Sequence, residues 1–255
     1  MANTEQPQRN ASEEGRVIFN LPDNAPQHVH SITLVRHGRT AYNAAHRLQG
    51  QIDIPLDEVG QWQIKQTAQA LRELYVERYH GQRKQLVICS DLGRAVDTAH
   101  AFADPLGLSV HSEARVRERN FGEWEGISVE ELRERYPEDF RLWAEHRGGE
   151  MKYGAEAKEA VGARGVEALQ DWGSKAGDDT DLYVFSHGAW ISQTLQTLLG
   201  LDKIEADFAG ILSMRNAHWA RLIPMVQSGS IRWRLMDYNH GPAIADTEYW
   251  EHPQL

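Results

Sequence analysis

The sequence predicts a single-domain α/β protein, a three-layer α/β/α sandwich with a mostly parallel central sheet and an antiparallel edge strand. Two observations carry this prediction. From residue 31 onward, short apolar runs rich in β-branched residues alternate with segments in which apolar residues recur at steps of three and four. The chain also shows no internal repeat and no linker between separate cores, and its 255 residues are enough for one large core.

Three short apolar runs predict buried strands in the middle of the sheet. They lie at 31–35, 86–89 and 182–185, and each is followed at once by polar residues. The region from about 211 to 238 alternates more strongly between apolar and polar residues, which is typical of antiparallel strands. Within it, Arg232–Leu235 is the predicted antiparallel edge strand.

Helical signals fill the intervals between these runs. Asp57 and Asp91 are each placed to cap a helix. Ser128 with Glu131 has the spacing of a capping box for a third helix, which is expected to stop before Pro137. Longer helices are expected at about 155–172 and 191–199.

The two ends of the chain differ in composition from its middle. Residues 1–28 contain Glu, Gln, Asn and Pro and lack the apolar core of a signal peptide, so we expect a flexible N-terminal tail rather than a signal peptide or membrane anchor. Residues 241–255 contain two prolines and few apolar residues, and they are assigned to a C-terminal tail. The domain itself is expected to span residues 29–240.

Charge and cysteine usage argue against several classes of function. With 27 basic and 37 acidic residues the formal net charge is −10, which disfavours binding to nucleic acid. No apolar stretch has the length of a membrane span, so we expect no membrane partner. Cys89 is the single cysteine, which excludes an intramolecular disulfide and a cysteine metal cluster and fits a cytoplasmic protein.

Two histidines stand directly after predicted strands, and each is followed by a glycine. His37 and His187 are therefore expected at the carboxyl edge of the sheet, where ligands bind in open α/β folds. Arg36 offers a planar fork that matches phosphate oxygens, and its charge disfavours a protonated imidazole beside it. Gly38 permits a tight turn. The segment predicts an anion site, with phosphate the first candidate; a purely structural strand end is the alternative.

Five blocks of residues, in this order, resemble the histidine phosphatase superfamily, also called the phosphoglycerate mutase-like family. The resemblance extends from about residue 32 to residue 238. The blocks are Arg36–Thr40 with Asn43; Gln49–Gly50 followed by Asp53, Pro55, Leu56 and Gly60; Cys89–Ala95 with Thr98–Ala99; Arg117–Glu118 with Phe121–Gly126; and Ser186–Gly188. The resemblance implies the phosphoglycerate mutase-like fold and a phosphatase that needs neither a metal ion nor another cofactor.

The resemblance also implies a role for each site residue. His37 is the nucleophile that forms a phosphohistidine, and Glu118 is the general acid, with Glu123 and Glu125 as close rivals. Phosphate oxygens would be held by the remaining residues, which are Arg36, Asn43, Gln49, Arg94, His187 and Gly188. Three of these also count as catalytic: Arg36, Arg94 and His187.

Three functions stay open, and a phosphatase acting on a small phosphorylated metabolite is favoured among them. A cofactor-dependent phosphoglycerate mutase is the alternative. In this family, such mutases carry extra basic residues in an insertion between the loop with the general acid and the second histidine. Here acids offset the arginines of the short interval 136–150. A non-catalytic module that binds a phosphorylated ligand is less favoured, because both histidines, both arginines and the acid are present. The identity of the ester is not predicted, and a homodimer is left open.

Overall fold

A six-stranded sheet forms the centre of the molecule. The computed structural model of the protein describes residues 28–79, 82–204 and 210–255. Its strands are β1 (Ser31–Arg36), β2 (Lys84–Cys89), β3 (Val110–Ser112), β4 (Thr180–Ser186), β5 (Trp219–Gln227) and β6 (Ser230–His240). Their order across the sheet is β3-β2-β4-β1-β5-β6. The first four of these are parallel, β5 is antiparallel to β1, and β6 is antiparallel to β5.

This topology confirms the mostly parallel sheet and differs from the expectation at one edge. Two antiparallel strands, rather than one, occupy that side. They are joined through Ser228 and Gly229, which have φ angles of 52° and 76°. Positive φ at both turn residues gives the tight hairpin connection that matches the twist of the flanking strands. The alternating pattern from 211 to 238 therefore covers a whole hairpin.

Seven α-helices lie in the described residues. They are α1 (Ala41–Ala44), α2 (Glu58–Tyr75), α3 (Gly93–Ala103), α4 (Val129–Arg135), α5 (Pro137–Ala144), α6 (Lys158–Ala176) and α7 (Gly188–Leu199). Asp57 caps α2 as expected, with Gly60 N donating to its carboxylate at 2.7 Å, and the capping box at Ser128 is present. The expected cap at Asp91 is wrong: Leu92 occupies the N-cap position, because the Asp91 carboxylate pairs with Arg117 instead.

The alternation of side chains along the strands produces the three layers. On one face, Leu34 of β1 and Val184 of β4 pack in the cluster that includes residues of α6 and α7. On the other face, Val35 and Tyr183 pack with residues of α2 and α3, among them Phe102. Because successive strand residues point to opposite faces, both faces are apolar and both are covered by helices. The predicted three-layer sandwich is confirmed.

The segment 241–255 packs against the domain. Trp250 is fully buried, its ring centroid lies 5.4 Å from that of Trp62, and its carbonyl accepts a hydrogen bond from Gln63 Nε2 at 3.0 Å. The expected N-terminal tail at 1–28 lies, apart from His28, outside the described residues, and the domain boundaries stay predictions. Within the described ranges, no helix combines the length and the apolar character needed to cross a membrane.

Candidate active site

The two strands at the middle of the sheet bring the two histidines together. β1 and β4 run parallel with Arg36 in register with Ser186, so the residues after them emerge at the same edge. The rings of His37 and His187 have centroids 5.1 Å apart and planes inclined at 59°. The backbone nitrogen of His37 donates to the Ser186 carbonyl at 3.0 Å, and His187 is the N-cap residue of α7.

The surroundings of His37 determine which ring nitrogen carries the proton. Its Nδ1 lies 2.7 Å from the carbonyl oxygen of Gly38, which can only accept a hydrogen bond. Nδ1 is therefore the protonated nitrogen, and Nε2 carries the lone pair. Arg94 Nε lies 3.3 Å from Nε2 and donates to it, which agrees with this tautomer. His37 is thus buried with its nucleophilic nitrogen beside a guanidinium group.

Both histidines are held neutral. Burial lowers the pKa of His37 well below its usual value, and the charges of Arg94 and Arg36 lower it further. Burial also lowers the pKa of His187 well below its usual value, followed by the charge of Arg94. The neighbouring charge expected from sequence acts in the expected direction, but desolvation is the larger cause. A neutral imidazole retains the lone pair that a nucleophile needs.

The two guanidinium groups are positioned by backbone carbonyls. Arg94 is fully buried on α3 and donates to Gly50 O at 2.7 Å and to Ile52 O at 3.0 Å. Arg36 is partly buried and donates to the Met214 carbonyl. Burial lowers the pKa of Arg94 to about 10, and it also lowers the pKa of Arg36. Both cations are therefore held in a desolvated setting without losing their charge at neutral pH.

Several buried polar atoms at this edge have no hydrogen-bond partner within the described residues. They are Arg36 Nε, Gln49 Nε2 and both ring nitrogens of His187. Arg36, Gln49 and His37 line one cavity of about 660 Å³, and His187 packs against His37. Unpartnered buried donors are costly, so their convergence indicates a site built to be completed by a ligand that accepts hydrogen bonds.

Gly188 and Asn43 complete the inner part of the cavity. A Cβ atom at Gly188 would lie 3.3 Å from Arg36 Cζ and 3.0 Å from Ser213 Oγ, so glycine lets the guanidinium group approach the start of α7. Asn43 Oδ1 accepts from the backbone nitrogen of Thr40 at 3.2 Å and from its hydroxyl at 3.1 Å. Because the oxygen is engaged there, the amide nitrogen of Asn43 is the group left to donate into the cavity it lines.

The carboxyl group of Glu118 lies at the start of α7. Its Oε1 accepts from the backbone nitrogens of Arg119 at 2.8 Å and Trp190 at 2.9 Å, and its Oε2 accepts from Ala189 N at 3.2 Å. The N-terminal N–H groups of a helix have no partner in the helix, and here they hold the side chain of Glu118 in place. Glu118 lines the same cavity as His37. The structure therefore brings together all the site residues expected from sequence.

Two contributions were missed by the sequence reasoning. Glu125, a rival for the acid, instead accepts from the backbone nitrogens of Gln51 at 2.9 Å and Phe121 at 3.0 Å, so it joins two loops of the site. The loop before β5 supplies the Met214 carbonyl to Arg36, across 178 positions of the chain. The block pattern marks Glu125, although not its role, and no local signal marks the loop before β5.

Within residues 28–79, 82–204 and 210–255, no group of three or more histidine, cysteine or acidic side chains is arranged to hold a metal ion. Metal independence stays a prediction.

Comparison with known proteins identifies the family. The family model described as histidine phosphatase superfamily (branch 1) matches residues 32–234. This chain belongs to the histidine phosphatase superfamily. A glucosyl-3-phosphoglycerate phosphatase of Mycolicibacterium vanbaalenii is 31% identical over 231 residues, which cover 86% of this chain and 98% of the relative. A protein of the same name from Mycobacterium tuberculosis is 33% identical over 227 residues, covering 84% and 96%.

Two further matches are a relative named as a mutase and a solved structure of a phosphatase. A probable phosphoglycerate mutase GpmB of Yersinia enterocolitica is 36% identical over 175 residues, covering 67% of this chain and 75% of the relative. A solved structure of a mycobacterial glucosyl-3-phosphoglycerate phosphatase complexed with VO3 has a TM-score of 0.69 at 29% identity, covering 83% of this chain and all of that chain. The expected family, fold and enzyme class are confirmed: the protein is a phosphatase of the histidine phosphatase type.

Proposed function

We propose that this protein hydrolyses the phosphate monoester of a small metabolite by way of a phosphohistidine on His37. The observation that carries the proposal is the lone pair on His37 Nε2, which lies beside two guanidinium groups, those of Arg94 and Arg36, at the cavity. A phosphate monoester dianion repels nucleophiles until its oxygens are neutralised. The desolvated cations neutralise these oxygens, and the neutral imidazole keeps the lone pair that attacks phosphorus.

The first step transfers the phosphoryl group to the protein. Arg36 and Arg94 hold the phosphate oxygens, with the amide nitrogens of Asn43 and Gln49 as neutral donors. His37 Nε2 attacks phosphorus in line, forming the N–P bond while the bond from phosphorus to the ester oxygen breaks. Positioning and charge stabilisation supply most of the acceleration in phosphoryl transfer.

Glu118 moves the protons in this scheme. Its carboxyl group lines the cavity that holds the ester. It donates the proton that the departing alkoxide requires, and in the second step it accepts a proton from the water that attacks the phosphohistidine. That attack breaks the N–P bond, releases inorganic phosphate and returns His37 to its neutral form.

The cavity extends well beyond the room that a phosphate group needs. Its lining includes Gln193, Gln196 and Thr197 of α7, which carry amide and hydroxyl groups, and Lys158 at the start of α6. Such donors and acceptors suit the hydroxyl groups of a sugar, and a lysine suits a carboxylate. Together with the names of the mycobacterial relatives, this supports glucosyl-3-phosphoglycerate as the substrate.

The mutase alternative has specific support from the relatives named phosphoglycerate mutase. Against it stand the charges of the interval 136–150. Arg141 pairs with Glu138 at 2.6 Å and with Glu145 at 2.7 Å, and Arg147 lies 3.6 Å from Glu145. These arginines are engaged by acids on the surface, so they add little positive charge for retaining a bisphosphorylated intermediate. Phosphatase activity is therefore the better-supported proposal.

One experiment distinguishes the proposals. Phosphate release is measured with glucosyl-3-phosphoglycerate, 3-phosphoglycerate and p-nitrophenyl phosphate, and the last substrate is also tested with the His37→Ala variant. The expected result is release from the glucosylated ester at the highest kcat/KM and no turnover by the variant. A parallel incubation of 3-phosphoglycerate with 2,3-bisphosphoglycerate tests the mutase, and formation of 2-phosphoglycerate would favour it. If the wild-type protein turns over none of these esters, a binding module is favoured.

The remaining expectations accompany this proposal. Turnover should survive treatment with EDTA if the enzyme is independent of metal. Light scattering of the purified protein tests the homodimer, and fractionation of cells tests the cytoplasmic location.

A further inference from the structure

The loop before β5 brings an asparagine side chain close to the backbone of the nucleophile, His37. Asn216 is half-buried, and its amide nitrogen lies near three acceptors. These are His37 O at 3.2 Å, Gly38 O at 3.3 Å and Asn43 Oδ1 at 3.0 Å. The amide carries two N–H groups, so they are shared among three oxygen atoms that all belong to the phosphate site or its backbone.

One of these contacts leads directly to the reacting nitrogen. The Gly38 carbonyl that accepts from Asn216 also accepts from His37 Nδ1 at 2.7 Å. That second bond keeps the proton on Nδ1 and the lone pair on Nε2. The backbone at Gly38 packs closely against α2, since a Cβ there would lie 2.6 Å from Gly60 O. The amide of Asn216 is the second donor to the Gly38 carbonyl.

A second contact orients a phosphate ligand. Asn43 Oδ1 accepts from Asn216 Nδ2 as well as from the backbone nitrogen of Thr40. Both donors engage the oxygen, so the amide nitrogen of Asn43 is the group left to donate to a phosphate oxygen. The reverse orientation would place an oxygen against an anion, which is repulsive.

The loop itself is held by contacts that do not involve the Asn216 side chain. Arg215 N donates to Asn239 Oδ1 at 2.8 Å, and the Arg215 guanidinium group donates to Ala245 O at 3.0 Å. Ala217 N donates to His37 O at 3.0 Å. Removal of the Asn216 amide therefore leaves the backbone of the loop anchored, and its effect is concentrated on His37 and Asn43.

We propose that Asn216 is a positioning residue for phosphoryl transfer, which keeps His37 in the Nδ1-protonated tautomer and turns the Asn43 amide toward the phosphate. The inference rests on the proposed function for its kinetic consequence. Its structural consequence, the tautomer of His37, is independent of any reaction.

The test compares two substitutions at Asn216 with a matched control, Asn239 of β6, which contacts the same loop. Asn216→Ala removes the donor, and Asn216→Asp places an oxygen against three acceptors. Asn239→Gly removes the other asparagine that anchors the loop; glycine accommodates the positive φ of 53° at this position. For each variant we measure the thermal unfolding midpoint, the rate of phosphoenzyme formation in a rapid-quench burst, and the ¹⁵N shifts of the His37 ring.

The expected results distinguish the effect of the Asn216 amide from a general effect on the loop. Asn216→Ala should slow phosphoenzyme formation about 100-fold, the size of effect that follows a misplaced reacting group, and Asn216→Asp should slow it more. Both should shift the His37 nitrogens from one tautomer to a mixture. Asn239→Gly should retain the wild-type tautomer and a burst rate within about threefold. If Asn216→Ala is unstable, Asn216→Ser keeps one donor and should show an intermediate loss.

Three outcomes would overturn the inference. They are a wild-type burst rate in the folded Asn216→Ala variant, an unchanged His37 tautomer in that variant, and an equal loss in Asn239→Gly. Failure of the proposed function looks different, because the wild-type protein would then form no phosphoenzyme at all. In that case the ring nitrogen shifts of the wild type and the Asn216 variants still decide the positioning role.

Discussion

The two ends of the central sheet both bury arginine, and they treat its charge in opposite ways. At the amino end of β4, Asp181 is 1% exposed, and it lies 2.7 Å from Arg83 and 3.4 Å from Arg221. At the carboxyl end, the one carboxylate within 4 Å of Arg94 in the described residues is Asp53, at 3.9 Å and more than half exposed, and none lies as near to Arg36.

This difference separates folding from function. A buried pair stabilises the fold only while both charges are present, because either one alone is left desolvated. The carboxyl end keeps its cations desolvated and short of a close anion, and it places neutral histidines beside them. That arrangement costs stability and creates affinity for an anion. The amino end is complete in the protein alone, whereas the carboxyl end is completed by a phosphate ester.

The largest effect is expected when a cation is removed at the carboxyl end of the sheet. Arg36→Gln should lower kcat/KM about 1000-fold, as expected for the loss of a donor that stabilises transition-state charge. The free energy of unfolding should stay the same or rise, since the removed charge is desolvated in the folded protein. Steady-state kinetics and urea unfolding check both parts. A variant that is as active as the wild type, or one that is much less stable, would contradict the contrast between the two ends.

The matching change at the amino end should have the opposite profile. Asp181→Asn leaves Arg221 and Arg83 without their shared carboxylate, and breaking a buried pair in this way costs about 3 kcal/mol. The kcat of the folded fraction should be unchanged. Urea unfolding and kinetics below the unfolding transition measure these quantities. A loss of kcat without a loss of stability would show that this end contributes to catalysis.

An anion should stabilise the protein through one end only. Vanadate or phosphate at about 100 times its dissociation constant should raise the free energy of unfolding by about 2.7 kcal/mol. The increment should nearly vanish in Arg36→Gln and persist in Asp181→Asn. Thermal unfolding with and without the anion provides the measurement. An equal increment in both variants would place the anion elsewhere.

The smallest effect is the share of a single histidine in the pH dependence of stability. Burial, the largest cause, lowers the pKa of His37 and of His187 well below 6.5, so the folded state binds fewer protons than the unfolded state in mildly acidic solution. The free energy of unfolding should therefore fall as the pH drops below 6.5, by about 1.4 kcal/mol per pH unit for each such histidine. In His187→Gln one proton fewer is involved, so the fall in the free energy of unfolding should be shallower by about 1.4 kcal/mol per pH unit. Urea unfolding at pH 7 and pH 5 decides this, and equal slopes would contradict it.

The predictable part of the site is the part that local sequence specifies. A strand, then a histidine, then a glycine is a local pattern, and it led to His37 and His187 because parallel strands end at the same edge. The cap expected at Asp91 failed because a partner distant in sequence, Arg117, competes for the carboxylate. Asn216 was missed for the same kind of reason, since its acceptors lie more than 170 positions away.

By itself, the sequence determined the chemical groups of this protein, the alternation of its central strands with helices along the chain, and the family to which it belongs. Only the tertiary structure decided that Nε2 is the free nitrogen of His37, that desolvation rather than charge is the main cause of its neutrality, and that one carboxylate at Asp181 compensates two arginines. The physical reason is that side-chain types and turn preferences act over a few residues. Burial and hydrogen-bond geometry depend on neighbours in space, which the folded chain alone supplies.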